Sequence, residues 1–131
     1  ALMIPLVGFL PAEDPRVLAT IDTIAEHLSD PRGLVYRYRT DIDRNVDGLT
    51  GGEGTFLLCT FWLAHALASS GQIARAREVF DRAISYRNDV GLLSEEVDPA
   101  TGELLGNFPQ AFSHIGLVDA AWAIAQAEAS D

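Results

Sequence analysis

Apolar side chains recur at helical spacing through four stretches of this chain, and polar segments separate them. Asp14 followed by Pro15 reads as an N-cap and a first helical position. Val17, Leu18, Ile21, Ile24, Ala25 and Leu28 then share one face, with Asp22 and Glu26 on the other. Asp30-Pro31-Arg32-Gly33 ends that helix, and Leu34 to Arg39 reads as extended. The polar, glycine-rich stretch from Thr40 to Gly54 is long enough to suggest a functional loop. Thr55 to about Ser70 is apolar nearly all round, which predicts a helix deep in a core, closed by Gly71. Gln72 to about Arg87 is amphipathic, with Ile73, Ala76, Phe80, Ala83 and Ile84 inward. Asn88 to Phe108 is a second long loop. The last predicted helix, Pro109 to about Ala129, is expected to bury Phe112, Ile115, Val118, Trp122 and Ala125. The expected architecture is all-α, helical hairpins with two long loops.

At 131 residues the chain has the length of one domain, and its 48% hydrophobic content is that of a globular protein. A formal charge of −10 argues against nucleic acid, whose phosphates need a basic surface, and equally against an anionic membrane. The lone Cys59 cannot form an internal disulfide and lies in an apolar run, so it reads as a buried free thiol in a reducing, cytoplasmic compartment. The apolar run Leu2 to Leu10 is broken by Pro5 and Gly8, is too short to span a bilayer and lacks the marks of a signal peptide. Ala1-Leu2-Met3-Ile4 opens without a cap or polar lead, the pattern of a chain cut inside a helix, and predicts a fragment.

Several motifs invite a chemical reading. Asp43-Arg44-Asn45-Val46-Asp47-Gly48 copies the first half of an EF-hand loop, but the twelfth position, which needs a bidentate glutamate, is Gly54, and Glu53 falls one residue early. Turn-forming Asp and Asn explain that loop without calcium. The helix pair around Leu63, Ala64, Leu67, Ala76, Phe80 and Ala83 fits a tetratricopeptide unit, yet no repeat stands one period away, so it reads as two packed antiparallel helices. A non-catalytic helical interaction module is the rival reading that this pair supports. His27, His65 and His114 have no metal-ligand spacing. His27 reads as surface, His65 as a satisfied core residue, and His114 could reach a pocket beside the second loop. Trp62 and Trp122 fall at core positions, and neither a phosphate loop nor a nucleophile elbow is present.

The second loop carries Glu95 and Glu96, adjacent carboxylates flanked by Leu92-Leu93 on one side and Asn107-Phe108-Pro109 on the other. Neighbouring loop glutamates are commonly just solvated. Here Asp98-Pro99-Ala100-Thr101-Gly102 is a turn sequence, which would put the pair at the root of a small excursion and aim it for acid/base work.

Four segments together resemble glycoside hydrolase family 15, the glucoamylases, bacterial trehalases and dextran-cleaving relatives. They are Pro5 to Pro11, Gly52 to Cys59, Gly91 to Glu95 and Asn107 to His114, so the likeness covers essentially the whole chain. The resemblance implies an (α/α)6 barrel, of which this chain would supply the C-terminal portion. It implies inverting hydrolysis of an α-glucoside (trehalose or an α-glucan) without a cofactor, by two carboxyls roughly 6.5–9.5 Å apart with a water between them. The family's base lies in a Leu-Ser-Glu motif, which falls on Leu93-Ser94-Glu95, so Glu95 is the expected general base and Glu96 an orienting neighbour. Arg37, Tyr38 and Asp41 resemble the family's arginine and aspartate contacts to the terminal sugar, with Arg39 competing for the place of Arg37. Glu53 is a further substrate-binding candidate, or else caps the helix start at Thr55. The family's general acid lies on an earlier segment that this chain does not contain, so the chain alone is expected to be inactive. A partial barrel would leave an apolar face unburied and favour self-association.

Overall fold

The computed structural model describes residues 1–38 and 53–130. Helix α1 (Met3–Leu6) is a single turn, and α2 (Pro15–His27) starts where expected, the Asp14 carboxylate accepting the Arg16 N–H at 2.9 Å. Val17 and Ile21 are buried on its inner face, and His27 is exposed. The 28–36 segment turns back on itself through a bridge between Ser29 and Val35. Asp30, almost fully buried, fixes this turn by accepting the Arg32 and Leu34 N–H groups.

The central element is α3 (Leu57–Ser69), against which α1, α2, α4 (Ile73–Ile84) and α5 (Ala111–Glu128) all pack. As its all-round apolar sequence predicts, Leu57, Phe61, Leu63, Ala64, Ala66, Leu67 and Ala68 are buried. Phe61 meets Phe80 of α4 edge to face, with ring centroids 5.7 Å apart, a pairing worth about 0.5–1.5 kcal/mol beyond the buried area. Gly71, at φ +76°, makes the left-handed turn between α3 and α4.

The helix expected from Thr55 begins two residues later. Thr55–Phe56 form a strand, β1, paired antiparallel to β2 (Glu96–Val97), which in turn pairs with β3 (Leu104–Leu105). In register, Phe56 faces Glu96 and Glu96 faces Leu105. The pairing supplies partners that a helix start lacks. The Leu57 N–H reaches the Glu95 carbonyl at 3.2 Å and the Phe56 N–H reaches the Val35 carbonyl at 2.8 Å. The small sheet thus ties the second loop to the N-terminal end of the central helix, within an otherwise all-α fold.

Helix α5 is turned differently from the sequence expectation. Its buried residues are Ser113, Gly116, Ala120 and Ile124, whereas Phe112, Ile115, Val118, Trp122 and Ala125 are exposed, Trp122 by 67%. The reason is close approach. A Cβ on Gly116 would lie 3.0 Å from Leu58 Cδ1 and 3.2 Å from Phe61 Cβ, so the small-residue face is the one that fits against α3. The bulky face forms an apolar stripe open to solvent.

Candidate active site

The segment Leu93-Ser94-Glu95 is held from every side. Leu93 and Ser94 are fully buried. The Leu93 carbonyl accepts the Gln110 N–H at 2.9 Å, and the Leu93 N–H donates to His114 Nε2 at 3.2 Å. The Ser94 carbonyl accepts the Ser113 hydroxyl at 2.7 Å, and the Ser94 hydroxyl donates to the Glu96 carbonyl at 2.7 Å. The first turn of α5 thus grips this segment through two consecutive side chains, Ser113 and His114. His114, expected to reach a pocket, is instead a backbone clamp. Its Nε2 accepts, so the ring proton is assigned to Nδ1.

Glu95 is half-buried. Its Oε2 accepts both the Asn107 N–H (3.0 Å) and the Asn107 Nδ2 amide (2.9 Å), while the Glu95 N–H donates to the Asn107 carbonyl at 3.0 Å. The excursion expected between residues 98 and 102 is a hairpin turn joining β2 to β3. The Asp98 carboxylate accepts the Ala100 and Thr101 N–H groups, which hold it below the ordinary carboxylate range. Arg32 donates to the Asp98 carbonyl and so anchors the turn to the N-terminal half.

Glu96 opens β2, one residue after the bend at Glu95. Its Oε2 accepts the Gly54 N–H at 2.8 Å. A Cβ at position 54 would sit 2.9 Å from that oxygen, so glycine is what admits the carboxylate. Burial raises the Glu96 pKa; the Gly54 N–H opposes the shift, Glu53 and Glu95 add to it, and Arg37 works against it. Glu53 stands across from this group. The Arg37 guanidinium pairs with Glu53 Oε1, and the Tyr38 hydroxyl donates to the same oxygen at 3.0 Å. Arg37 also stacks over the Phe56 ring, 4.9 Å from its centroid. Glu53 Oε2 is buried and has no hydrogen-bond partner among the described residues. Glu53 is therefore engaged with Arg37 and Tyr38 rather than capping α3, whose N-cap, Phe56, receives no side-chain hydrogen bond.

Of the sequence-predicted site residues, the structure brings Arg37, Tyr38, Glu53, Glu95 and Glu96 to the β1–β2 edge. Asp41, Arg39 and the EF-hand-like residues 43–48 lie outside the described residues. A cavity of about 150 Å³ adjoins the group, lined among others by Val35, Tyr36, Arg37, Cys59 and Trp62; Glu95 is not among its lining residues. Cys59 is unpaired with another cysteine, and burial pushes its thiol up to about 11, which fits an inert packed sulfur. His65, expected to be satisfied in the core, is half-buried, and its Nδ1 finds no hydrogen-bond partner among the described residues. Trp122 is a surface residue, not a core one. Sequence reasoning missed Ser113, Gly54 and Gly106, whose roles are visible only once distant segments meet. Among the described residues no helix is long and apolar enough to cross a membrane.

Comparison with known proteins places this segment within a longer match. The family described as Glycosyl hydrolases family 15 matches residues 1–122. A protein named trehalase from Mycolicibacterium smegmatis is 46% identical over 97% of this chain and 19% of its own length. One from Mycobacterium tuberculosis is 44% identical over 97% of the chain and 18% of its own length. One from Thermoplasma volcanium is 43% identical over 89% of the chain and 18% of its own length. The chain thus spans about a fifth of the length of the curated relatives it matches. No solved structure matches it. With the match running through nearly every described element, from α1 into α5, the chain belongs to Glycosyl hydrolases family 15.

Proposed function

We propose that this chain is the base-carrying part of an inverting α-glucosidase that hydrolyses trehalose, with short α-glucans as the wider substrate class. The observation that carries the reading is the grip on Leu93-Ser94-Glu95. Four backbone and side-chain partners from α5 and its approach fix a tripeptide whose last member is a half-buried carboxylate. A general base needs this fixity, because small misplacement of the reacting oxygen loses much of the rate.

In this reading Glu95 takes a proton from water as the water oxygen attacks the anomeric carbon. The glycosidic C–O bond breaks on the opposite side, and the departing oxygen is protonated by an acid outside this chain. Arg37, Tyr38 and Glu53 bind the terminal sugar, a role that the family resemblance also implies for Asp41. Glu53 Oε2, which has no hydrogen-bond partner among the described residues, suits a sugar hydroxyl, since a buried acceptor without a donor favours a ligand that supplies one. Glu96, tied to Gly54, orients the strand that carries Glu95. The fold is one portion of an (α/α)6 barrel, and the bulky face of α5 packs on neighbouring barrel helices. In the separate chain that face would drive self-association.

The test uses the complete protein and trehalose. Proton NMR of the first-formed products should show one β- and one α-glucose per trehalose, as inversion requires; α-glucose alone would refute the inverting assignment. Glu95→Gln should abolish turnover with circular dichroism unchanged. A non-catalytic helical module would be indifferent to that change. The 131-residue chain by itself should release no glucose, because it lacks the acid, and robust turnover would overturn that part of the reading.

A further inference from the structure

The Glu95 carboxylate has two unequal oxygens. Oε2 receives two donors from a single residue, the backbone N–H and the side-chain amide of Asn107, at 3.0 and 2.9 Å. Oε1 has no hydrogen-bond partner among the described residues. The reciprocal bond from the Glu95 N–H to the Asn107 carbonyl locks the two residues backbone to backbone. Gly106 makes the approach feasible. It sits at φ +72°, and a Cβ there would fall 2.8 Å from Glu95 Oε2 and 2.9 Å from Glu95 Cβ. Any side chain at 106 would push the loop away and part Asn107 from the carboxylate.

We infer that Asn107 is the positioning residue of Glu95: by occupying Oε2 with two donors it fixes the carboxylate's rotation and assigns Oε1 as the atom that receives the water proton. The inference rests on the reading of Glu95 as base. In the reaction Oε1 gains the proton, the water oxygen bonds to the anomeric carbon, and the glycosidic oxygen leaves with a proton from the separate acid. Asn107 exchanges no proton and touches no substrate. A neutral amide suits the task, because it donates to a carboxylate and, unlike lysine or arginine, adds no competing charge beside the attacking water.

Two variants of the complete protein test this by steady-state kinetics on trehalose. Asn107→Ala deletes the amide and keeps the backbone N–H; Asn107→Asp keeps the volume and replaces a donor by an acceptor facing Oε2. Turnover should fall roughly tenfold in the first and roughly a hundredfold in the second, with KM little changed, as expected for misplacing a reacting group. Two results would overturn the inference: kcat preserved in both variants, or a loss carried by KM instead. Loss of the native circular dichroism in both variants would assign Asn107 a structural role and also overturn it. Wild-type turnover by Glu95→Gln alone would sink the base reading itself, so the two failures are distinguishable.

Discussion

The hydroxyl of Ser113 offers the sharpest test of how α5 supports the Glu95 segment. Ser113 and Ser94 are both fully buried, and the Ser113 hydroxyl supplies the hydrogen bond found at the Ser94 carbonyl, at 2.7 Å. Ser113→Ala removes one oxygen, so its cavity is small and the packing of α5 on α3 should survive. The cost is polar. The variant forfeits a net hydrogen bond of about 0.5–1.5 kcal/mol and leaves a buried carbonyl without a donor, for a total of about 1–3 kcal/mol. With a urea slope of about 1–3 kcal/mol per molar, the unfolding midpoint should drop by about 0.3–3 M at unchanged slope. Urea titration followed by circular dichroism reads this directly. Ser130→Ala is the control. Its hydroxyl also bonds a backbone carbonyl, that of Gln126, but on an exposed surface, so its effect should stay within about 0.5 kcal/mol. Equal midpoints for wild type and Ser113→Ala would show that the Ser94 carbonyl does not depend on this hydroxyl, and the clamp argument would fail at its central bond.

Two more predictions follow from the surroundings of the site and from α5. Glu96 holds its proton more readily in the fold than in the unfolded chain, chiefly through burial; its contribution to stability is therefore full at acid pH and lost as pH rises through the folded value. Glu96→Gln stays neutral and still offers an oxygen to the Gly54 N–H, so its stability relative to wild type should improve from about pH 4 to about pH 7; urea midpoints that show the opposite trend would refute the assignment. Changing Ile115 and Trp122, both more than half exposed, to Gln in the separate chain should lower its oligomeric size in sedimentation while helix content is kept. An unchanged distribution would mean that the bulky face of α5 does not drive association.

The parts of the fold written in local signals were legible. Asp14-Pro15 marks the start of α2, the all-round apolar run marks α3 as central, and Gly71 marks the turn between α3 and α4. The start of α3 was misjudged because Thr55 and Phe56 gain more from pairing with Val97 and Glu96 than from one more helical turn, and those partners lie some forty residues away. The orientation of α5 was misjudged for a different reason. Both of its faces are apolar, so periodicity cannot choose between them. Size does, since Gly116 is the residue that lets α5 reach Leu58 and Phe61.

The same distinction governs the site. The pair Glu95 and Glu96 could be singled out because loop carboxylates between leucines and a proline-bearing segment are conspicuous along the chain, and the resemblance to the family's Leu-Ser-Glu motif made Glu95 the expected base. What holds it could not. Asn107, Ser113 and His114 are ordinary polar residues until the approach to α5 folds back over Leu93 and Ser94, and Gly106 is an ordinary loop glycine until the carboxylate lies where its Cβ would be. Each member of this shell acts on the backbone or on Oε2 of Glu95. The shell can therefore be dismantled one bond at a time without touching Glu95 Oε1. If loss of the Ser113 hydroxyl and of the Asn107 amide both slow turnover, while only the former lowers the urea midpoint strongly, then support of the backbone and aim of the carboxylate are separable functions. That separation is what the geometry requires, because Ser113 bonds a buried carbonyl one residue before Glu95, whereas Asn107 bonds the Glu95 carboxylate at the surface.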